Sequence, residues 1–344
     1  MTKKASSESK DQRRLQMADI ARLAGVSTST VSRALSKSPL IGEETRQRIE
    51  ALAKSLNYSI NVGAQNLRLK QNKTVAVVVP FDTASHQHLS DPFFLGIIGS
   101  IADALTERGY DMLLTRVSAE ELDAAAQIYD TGRAIGVILI GQWRHHDQLN
   151  QMAARKVPIV VWGAQIPQQL YVTVGSDNVA GGRLACQHLI DAGKKRIAFF
   201  GDTQLPEVAH RYQGYCQALQ AAGMAVDPNL VLSAAFTEEG GRWAVETLLS
   251  RGVTFDAVFA CSDLLAMTAI NLFRASGLAV PQDVAVVGYD DIALARYFHP
   301  PLSTIRQPIA AAGEALVSAV LALSEQNTTG PQLLETTLVA RQSS

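Results

Sequence analysis

Six short runs constrain this chain most: Val75–Val79, Ala134–Ile140, Pro158–Trp162, Ile197–Gly201, Ala257–Cys261 and Val284–Gly288. Each is almost wholly apolar, and helical segments separate them. A strand that is apolar on both faces is covered on both faces, and strands alternating with helices make parallel sheets. The expectation is therefore an α/β body of doubly wound sheets. A single sheet of this kind carries its ligand at the carboxyl ends of its strands, and two such sheets facing each other make a cleft.

A different pattern precedes the body. In Asp19-Ile-Ala-Arg-Leu-Ala-Gly-Val-Ser-Thr-Ser-Thr-Val-Ser-Arg-Ala-Leu35, the residues Ile20, Leu23 and Ala24 recur at helical spacing. Gly25 interrupts them, and Val31, Ala34 and Leu35 resume the stripe. Two short helices joined by a glycine turn form a helix-turn-helix. Ser27 is placed to cap the second helix through its hydroxyl. Thr28, Ser29, Thr30 and Ser32 are small hydrogen-bonding groups around a helix start, the end that enters a major groove. Arg33 lies one turn on, where a guanidinium reaches guanine O6 and N7 in a fork. The reading places Thr28, Ser29 and Arg33 on base edges and Ser27, Thr30 and Ser32 nearer phosphates. A third amphipathic helix, Glu43 to Leu56, turns Ile49, Leu52, Ala53 and Leu56 inward, with Gly42 at its N-cap.

Charge divides the chain in the same way. Residues 1–70 hold 13 Lys/Arg against 6 Asp/Glu, a net of +7, and the remainder carries −8 of the total of −1. A basic head on an acidic body is the footprint of a phosphate-binding module. At 344 residues the length suggests two or three domains. Cys186, Cys216 and Cys261 are far apart in sequence and read as reduced thiols. Met1 to Arg14 lacks the apolar core of a secretory signal, so a disordered arm over 1–15 and a cytoplasmic protein are expected. No apolar run is long enough to span a membrane.

Nucleotide-phosphate loops of the G-x-G-x-x-G and G-x-x-x-x-G-K-[ST] types are missing. His86, His88, His145 and His146 have no carboxylate or cysteine at metal-ligand spacing, so no metal is expected. Asp290-Asp291 follows a strand without a neighbouring nucleophile. No catalytic residues, enzyme activity or cofactor are therefore expected. Gly181-Gly182 is read as letting a helix start pack closely on the sheet.

The D-I-A-x-x-A-G-V-S-x-x-T-V-S-R-x-L hairpin, the T-R-x-R-I-x-x-x-A-x-x-L-N-Y helix from Thr45 to Tyr58 and the A-Q-x-L stretch that follows resemble the LacI/GalR family of bacterial transcriptional regulators. The resemblance runs from about residue 17 to 344. It implies a head at 16–59, a hinge helix and linker at 60–72, and an effector and dimerisation domain at 73–344 resembling periplasmic sugar-binding proteins. Such a domain has two subdomains crossed three times by the chain. They are expected at about 73–174 plus 306–326, and about 175–305 plus 327–344. The resemblance further implies a hinge helix in which Asn61, Ala64 and Leu67 meet DNA, with Leu67 wedging the minor groove. Ile60 replaces the usual proline there, and Gly63 weakens the helix, so it is expected to depend on the operator. Gln16 replaces the usual threonine cap of the first helix, whose start is expected to fray.

In the effector domain the resemblance assigns Trp162, Arg211, Phe236, Ser262 and Asp290 to a ligand site; Phe93 and Phe94, which follow Asp91-Pro92 after the first strand, are expected to reach the same cleft, and Gln307 is placed there with them. Arg211 donates in a fork and Asp290 accepts, which suits vicinal diols. Few other cations accompany Arg211, which favours a neutral saccharide. The implied protein is a homodimer, without the leucine heptad of tetramers. It represses carbohydrate-utilisation genes from a pseudo-palindromic operator and is released by a small neutral sugar. Alternatives left open are a phosphorylated sugar or non-sugar corepressor as effector, or a soluble saccharide-binding protein.

Overall fold

A computed structural model describes residues 15–36, 38–56, 72–82 and 87–344. The expected arm and the hinge positions Asn61, Ala64 and Leu67 lie outside the described residues, as does His86. Two units are separable, one ending at Gln71 and the other beginning at Asn72.

The head is three helices, α1 (Met17–Ala24), α2 (Thr28–Leu35) and α3 (Glu43–Ser55). Gly25 closes α1 at φ 67°, a left-handed conformation that glycine adopts without penalty. Ser27 Oγ accepts from Thr30 N at 3.2 Å and caps α2. Ile20, Ala21, Val31, Ala34 and Ile49 form the small core. Leu23 does not join it and is 55% exposed. Ala21 takes the inward place, so Leu23 lies on the surface beside Arg48 and Leu52. The start of α1 is better held than its missing threonine suggests, because Asp19 Oδ2 accepts from Gln16 N at 3.0 Å.

The body holds two six-stranded sheets. The first comprises β1 (Thr74–Phe81), β2 (Asp111–Ser118), β3 (Val137–Ile140), β4 (Ile159–Trp162), β5 (Val172–Ser176) and β11 (Gln332–Leu334), in the order β11-β5-β4-β3-β1-β2, all parallel. Helices α4 (Pro92–Glu107) and α11 (Ile309–Ser324) cover one face, over Val75, Val77, Ile138 and Val160. The other face packs Val78, Val137 and Leu139 beneath α5 (Ala124–Asp130) and α6 (His146–Ala154).

The second sheet comprises β6 (Ile197–Phe200), β7 (Val231–Leu232), β8 (Ala257–Ala260), β9 (Ala285–Asp290), β10 (Ser303–Arg306) and β12 (Thr337–Val339). Its order is β12-β10-β9-β8-β6-β7, with only β12 antiparallel to its neighbour. Helices α7 (Asn178–Asp191) and α8 (Pro206–Ala221) cover one face, and α9 (Glu238–Ser250) and α10 (Asp263–Ala275) the other. No described helix is long and apolar enough to cross a membrane.

The chain passes between the sheets after β5, after β10 and between β11 and β12. This corrects the expected assignment of 327–344 to one subdomain. Gln332–Leu334 pairs with β5 in the first sheet, and only the following strand returns to the second. The three crossings are bonded to one another. Asp177 N donates to Leu334 O at 2.8 Å, Thr336 Oγ1 to Asp177 O at 3.2 Å, and Ser176 Oγ to Gln307 Oε1 at 2.7 Å.

Candidate effector cleft and DNA-binding head

Parallel strands deliver their following loops to one end of a sheet, and here both sheets deliver theirs to a shared cleft. The first lobe contributes Asp91, Phe93 and Phe94 at the start of α4, Ile140 ending β3, Gly141 and Trp143 just after it, and Trp162 ending β4. The second contributes Leu205, Glu207 and Arg211 on or beside α8, Phe236 before α9, Ser262 after β8, Asp290 ending β9, and Gln307 after β10. The space between these walls is about 710 Å³, part of it open to solvent.

Arg211 is 6% exposed. Its Nε donates to Asn178 Oδ1 at 2.8 Å, its Nη1 to Cys261 O, and its guanidinium stacks 3.7 Å above the Tyr289 ring. A fork fixed on one edge and one face is rigid, which leaves its remaining edge pre-aimed. Helix packing sets its position. A Cβ on Gly182 would stand 2.0 Å from Arg211 O, so α7 and α8 meet where only hydrogen fits. Gly181 does the same against the sheet, where a Cβ would stand 2.4 Å from Tyr289 Oη.

Asp290 and Asp291 both have positive φ, 123° and 57°. Side chains other than glycine reach that region only at a cost, and such strain persists where surrounding bonds enforce it. Here the enforcement is visible. Asp263, fully buried, accepts from Ile292 N at 2.8 Å and from Thr304 Oγ1 at 2.5 Å, clamping the turn to β10. Asp291 accepts from Arg306 Nε at 2.7 Å and from Arg341 Nη2 at 2.5 Å. Asp290 itself accepts from Gln307 Nε2 at 2.7 Å.

Three carboxyl groups, those of Asp91, Glu207 and Asp290, line the cleft, whereas Arg211 is the one cation among the described lining residues. Burial raises all three above the ordinary carboxylate range. Asp290 is pushed up to about 7 by burial, against the pull of Arg211, with Asp91 adding to the rise. Aromatic faces stand on both walls: Phe93 is tilted 6.5 Å from Trp162 on one, and Phe236 lies on the other.

Every expected effector residue thus lines one cleft: Phe93, Trp162, Arg211, Phe236, Ser262, Asp290 and Gln307. Trp162, 5% exposed, and Phe94, 7% exposed, also belong to the core beneath the wall. Ser262 Oγ accepts from Leu265 N at 3.2 Å as a helix cap, which leaves its O–H and one lone pair to reach a ligand. Sequence reasoning missed Glu207, Trp143 and the carboxylate of Asp91. Glu207 lies four residues before Arg211, on the same helix face. Trp143 follows a strand end, where such sites gather.

In the head, Ser27, Thr28, Ser29 and Arg33 are exposed, and Thr30 and Ser32 half-buried, around the start and outer face of α2. The hydroxyls of Ser29 and Thr30 each stand 2.8 Å from Ser27 Oγ.

Residues 16–61 match the family model for bacterial regulatory proteins of the lacI family, and residues 186–344 match that for a periplasmic binding protein-like domain. The HTH-type transcriptional regulator CelR of Thermobifida fusca is 36% identical over 342 residues, covering 96% of this chain and 98% of its own. A solved CelR–cellobiose complex superposes with a TM-score of 0.72 at 35% identity, covering 96% of this chain and all of that one. A lac repressor dimer bound to operator and the anti-inducer ONPF gives a TM-score of 0.85 at 26% identity, covering 96% of this chain and 99% of that one.

Proposed function

Because this chain belongs to the LacI family of bacterial transcriptional regulators, which are DNA-binding proteins and not enzymes, we propose that it is an operator-binding repressor released by a small neutral saccharide. The wall chemistry of the cleft carries this reading. Sugar hydroxyls donate to Asp91, Glu207 and Asp290, and vicinal oxygens accept from Arg211. A phosphorylated ligand would meet three acidic groups for one cation. Aromatic faces on both walls suit the flat C–H surfaces of a ring whose hydroxyls are all equatorial. The CelR complex with cellobiose makes a β-linked glucosyl disaccharide the first candidate.

Two heads of a homodimer read successive major grooves, with Thr28, Ser29 and Arg33 on base edges and Ser27, Thr30 and Ser32 nearer phosphates. Asn61, Ala64 and Leu67 engage the central minor groove, Leu67 as an apolar wedge. The effector domain spans 73–344, with the head at 16–59 and the linker at 60–72. Ligand joins Arg211 and Asp290 of the second lobe to Phe93 and Trp162 of the first, which favours closure and separates the hinges. Coupling of this size is about 1–3 kcal/mol, a roughly 5- to 150-fold change in operator affinity.

The test is fluorescence anisotropy on DNA from upstream of the gene's own neighbourhood, with and without cellobiose and a panel of neutral mono- and disaccharides. Release by one sugar is expected. Operator binding that neutral sugars leave unchanged, but a phosphorylated sugar strengthens, would replace induction with corepression.

A further inference from the structure

We propose that the loop after β3, residues 141–146, is a clasp over the mouth of the cleft, and that the Arg144–Asp202 ion pair within it limits the length of the effector. The proposal rests on the saccharide reading above.

The loop belongs to the first lobe but reaches the second at successive residues. Gln142 N donates to Glu207 Oε1 at 3.5 Å, Trp143 lines the cleft, and Arg144 pairs with Asp202. Its root is fixed from below. Gln142, 1% exposed, donates from Nε2 to Tyr171 Oη at 2.8 Å and accepts at Oε1 from Ala164 N at 2.7 Å. Immediately after this anchor, Trp143 takes φ 52°, a left-handed conformation unusual for an aromatic residue. Strain of this kind persists only where the surrounding structure enforces it, and it gathers at ligand clamps and switch segments.

The two halves of the ion pair differ in kind. Asp202 is 16% exposed at its side chain, and its Oδ1 accepts from Gln204 N at 3.1 Å and Ser233 Oγ at 3.5 Å. It is a seated acceptor. Arg144 is 54% exposed, a solvated arm. Pairs of this exposure are weak singly, which suits a latch that opens and shuts. Trp143, next to Arg144, and Leu205, three residues beyond Asp202, both line the cleft. The pair therefore bridges the two lobes beside the cleft, and a saccharide extending past Trp143 and Leu205 on this side has to part it.

The experiment is calorimetric titration of the full chain with β-1,4-linked gluco-oligosaccharides, from the disaccharide to the pentasaccharide. Arg144→Asp, Asp202→Arg and the double exchange are compared with the parent. The parent is expected to bind the disaccharide and to lose affinity about two- to fivefold once the added rings reach the pair. Each single reversal should raise affinity for the longer sugars about two- to fivefold relative to the disaccharide. The double exchange should restore discrimination. An equal change at every length, or an exchange that restores nothing, overturns the length limit.

If the parent binds no saccharide at all, the effector reading fails, and the clasp is judged by small-angle scattering of the ligand-free protein. The single reversals should then expand the molecule and the exchange recompact it. Identical profiles overturn the clasp.

Discussion

Gln307 donates from Nε2 to Asp290 Oδ1 at 2.7 Å, while its Oε1 accepts from Ser176 Oγ at the same distance. One neutral side chain thereby ties the cleft carboxylate of the second lobe to the last residue of a first-lobe strand. Gln307→Leu strands the buried Ser176 hydroxyl and the Asp290 carboxylate, a loss of about 1–3 kcal/mol. Effector affinity by calorimetry should fall about tenfold, and Gln307→Glu, which sets a second negative charge beside Asp290, should reduce it further. Operator binding without effector should be unchanged in both.

Acidity gives a second test. Burial holds Asp290 near 7, while an unfolded aspartate titrates near about 4. Between those values the folded chain keeps a proton that the unfolded chain has released. Stability contributed by this group therefore falls as pH rises through the window and levels off above about 7. Asp91 and Glu207 are raised in the same direction. Calorimetric melting of the effector domain should come at a higher temperature near pH 5 than near pH 8, and Asp290→Asn should flatten the difference. Effector affinity should move oppositely, rising with pH as Asp290 becomes a full acceptor for hydroxyls.

Close helix packing gives a third. A Cβ on Gly214 would stand 2.0 Å from Val179 O and 2.6 Å from Arg183 N, both on α7. Gly214→Ala forces α7 and α8 apart, an overpacking cost of about 1–3 kcal/mol. Arg211 lies one turn away on the same helix, so effector affinity should drop together with melting temperature. A variant that melts like the parent but still binds poorly would assign Gly214 a different role.

The head is tested separately from the cleft. Arg33→Ala should lose about 1–3 kcal/mol of specific operator binding and leave effector calorimetry unchanged. Ser27→Ala removes the cap of α2, worth about 1 kcal/mol, and should weaken operator binding with a lower melting temperature of the head. Loss of effector binding in either variant would contradict this division of labour.

The sequence shows most clearly those parts whose burial is two-sided. Ile197–Phe200 and Ala257–Ala260 are interior strands, and their unbroken apolar runs have no other comfortable environment. The edge strand β2 reads Asp-Met-Leu-Leu-Thr-Arg-Val-Ser, with exposed and half-buried residues mixed, and β10 reads Ser-Thr-Ile-Arg. Neither is apolar along its length, because β2 has one neighbour and β10 satisfies buried polar groups with Asp263 and Ser343. β11, three residues with two exposed, leaves still less trace. For the same reason the return of 332–334 to the first sheet was not legible.

The cleft was legible where a motif fixed it, as with Arg211 in Arg-Tyr-Gln-Gly-Tyr and Asp290 in Val-Val-Gly-Tyr-Asp. Glu207 and Trp143 needed the structure, since nothing local separates a glutamate in a helix's first turn, or a tryptophan after a strand, from surface or core. Leu23 shows the opposite error. Helical spacing placed it on the stripe, but Ala21 occupies the inward position.

Three connectors laced to one another make a different joint from a single linker. With Asp177 bonded to Leu334, Thr336 to Asp177, and Ser176 to Gln307, the lobes are pinned at three places instead of one, an arrangement that resists twist more than a lone tether would. On the closure proposed above, a ligand anywhere along the cleft would act on this one joint, so that occupancy would register as a displacement of the first lobe whichever residues the ligand touches.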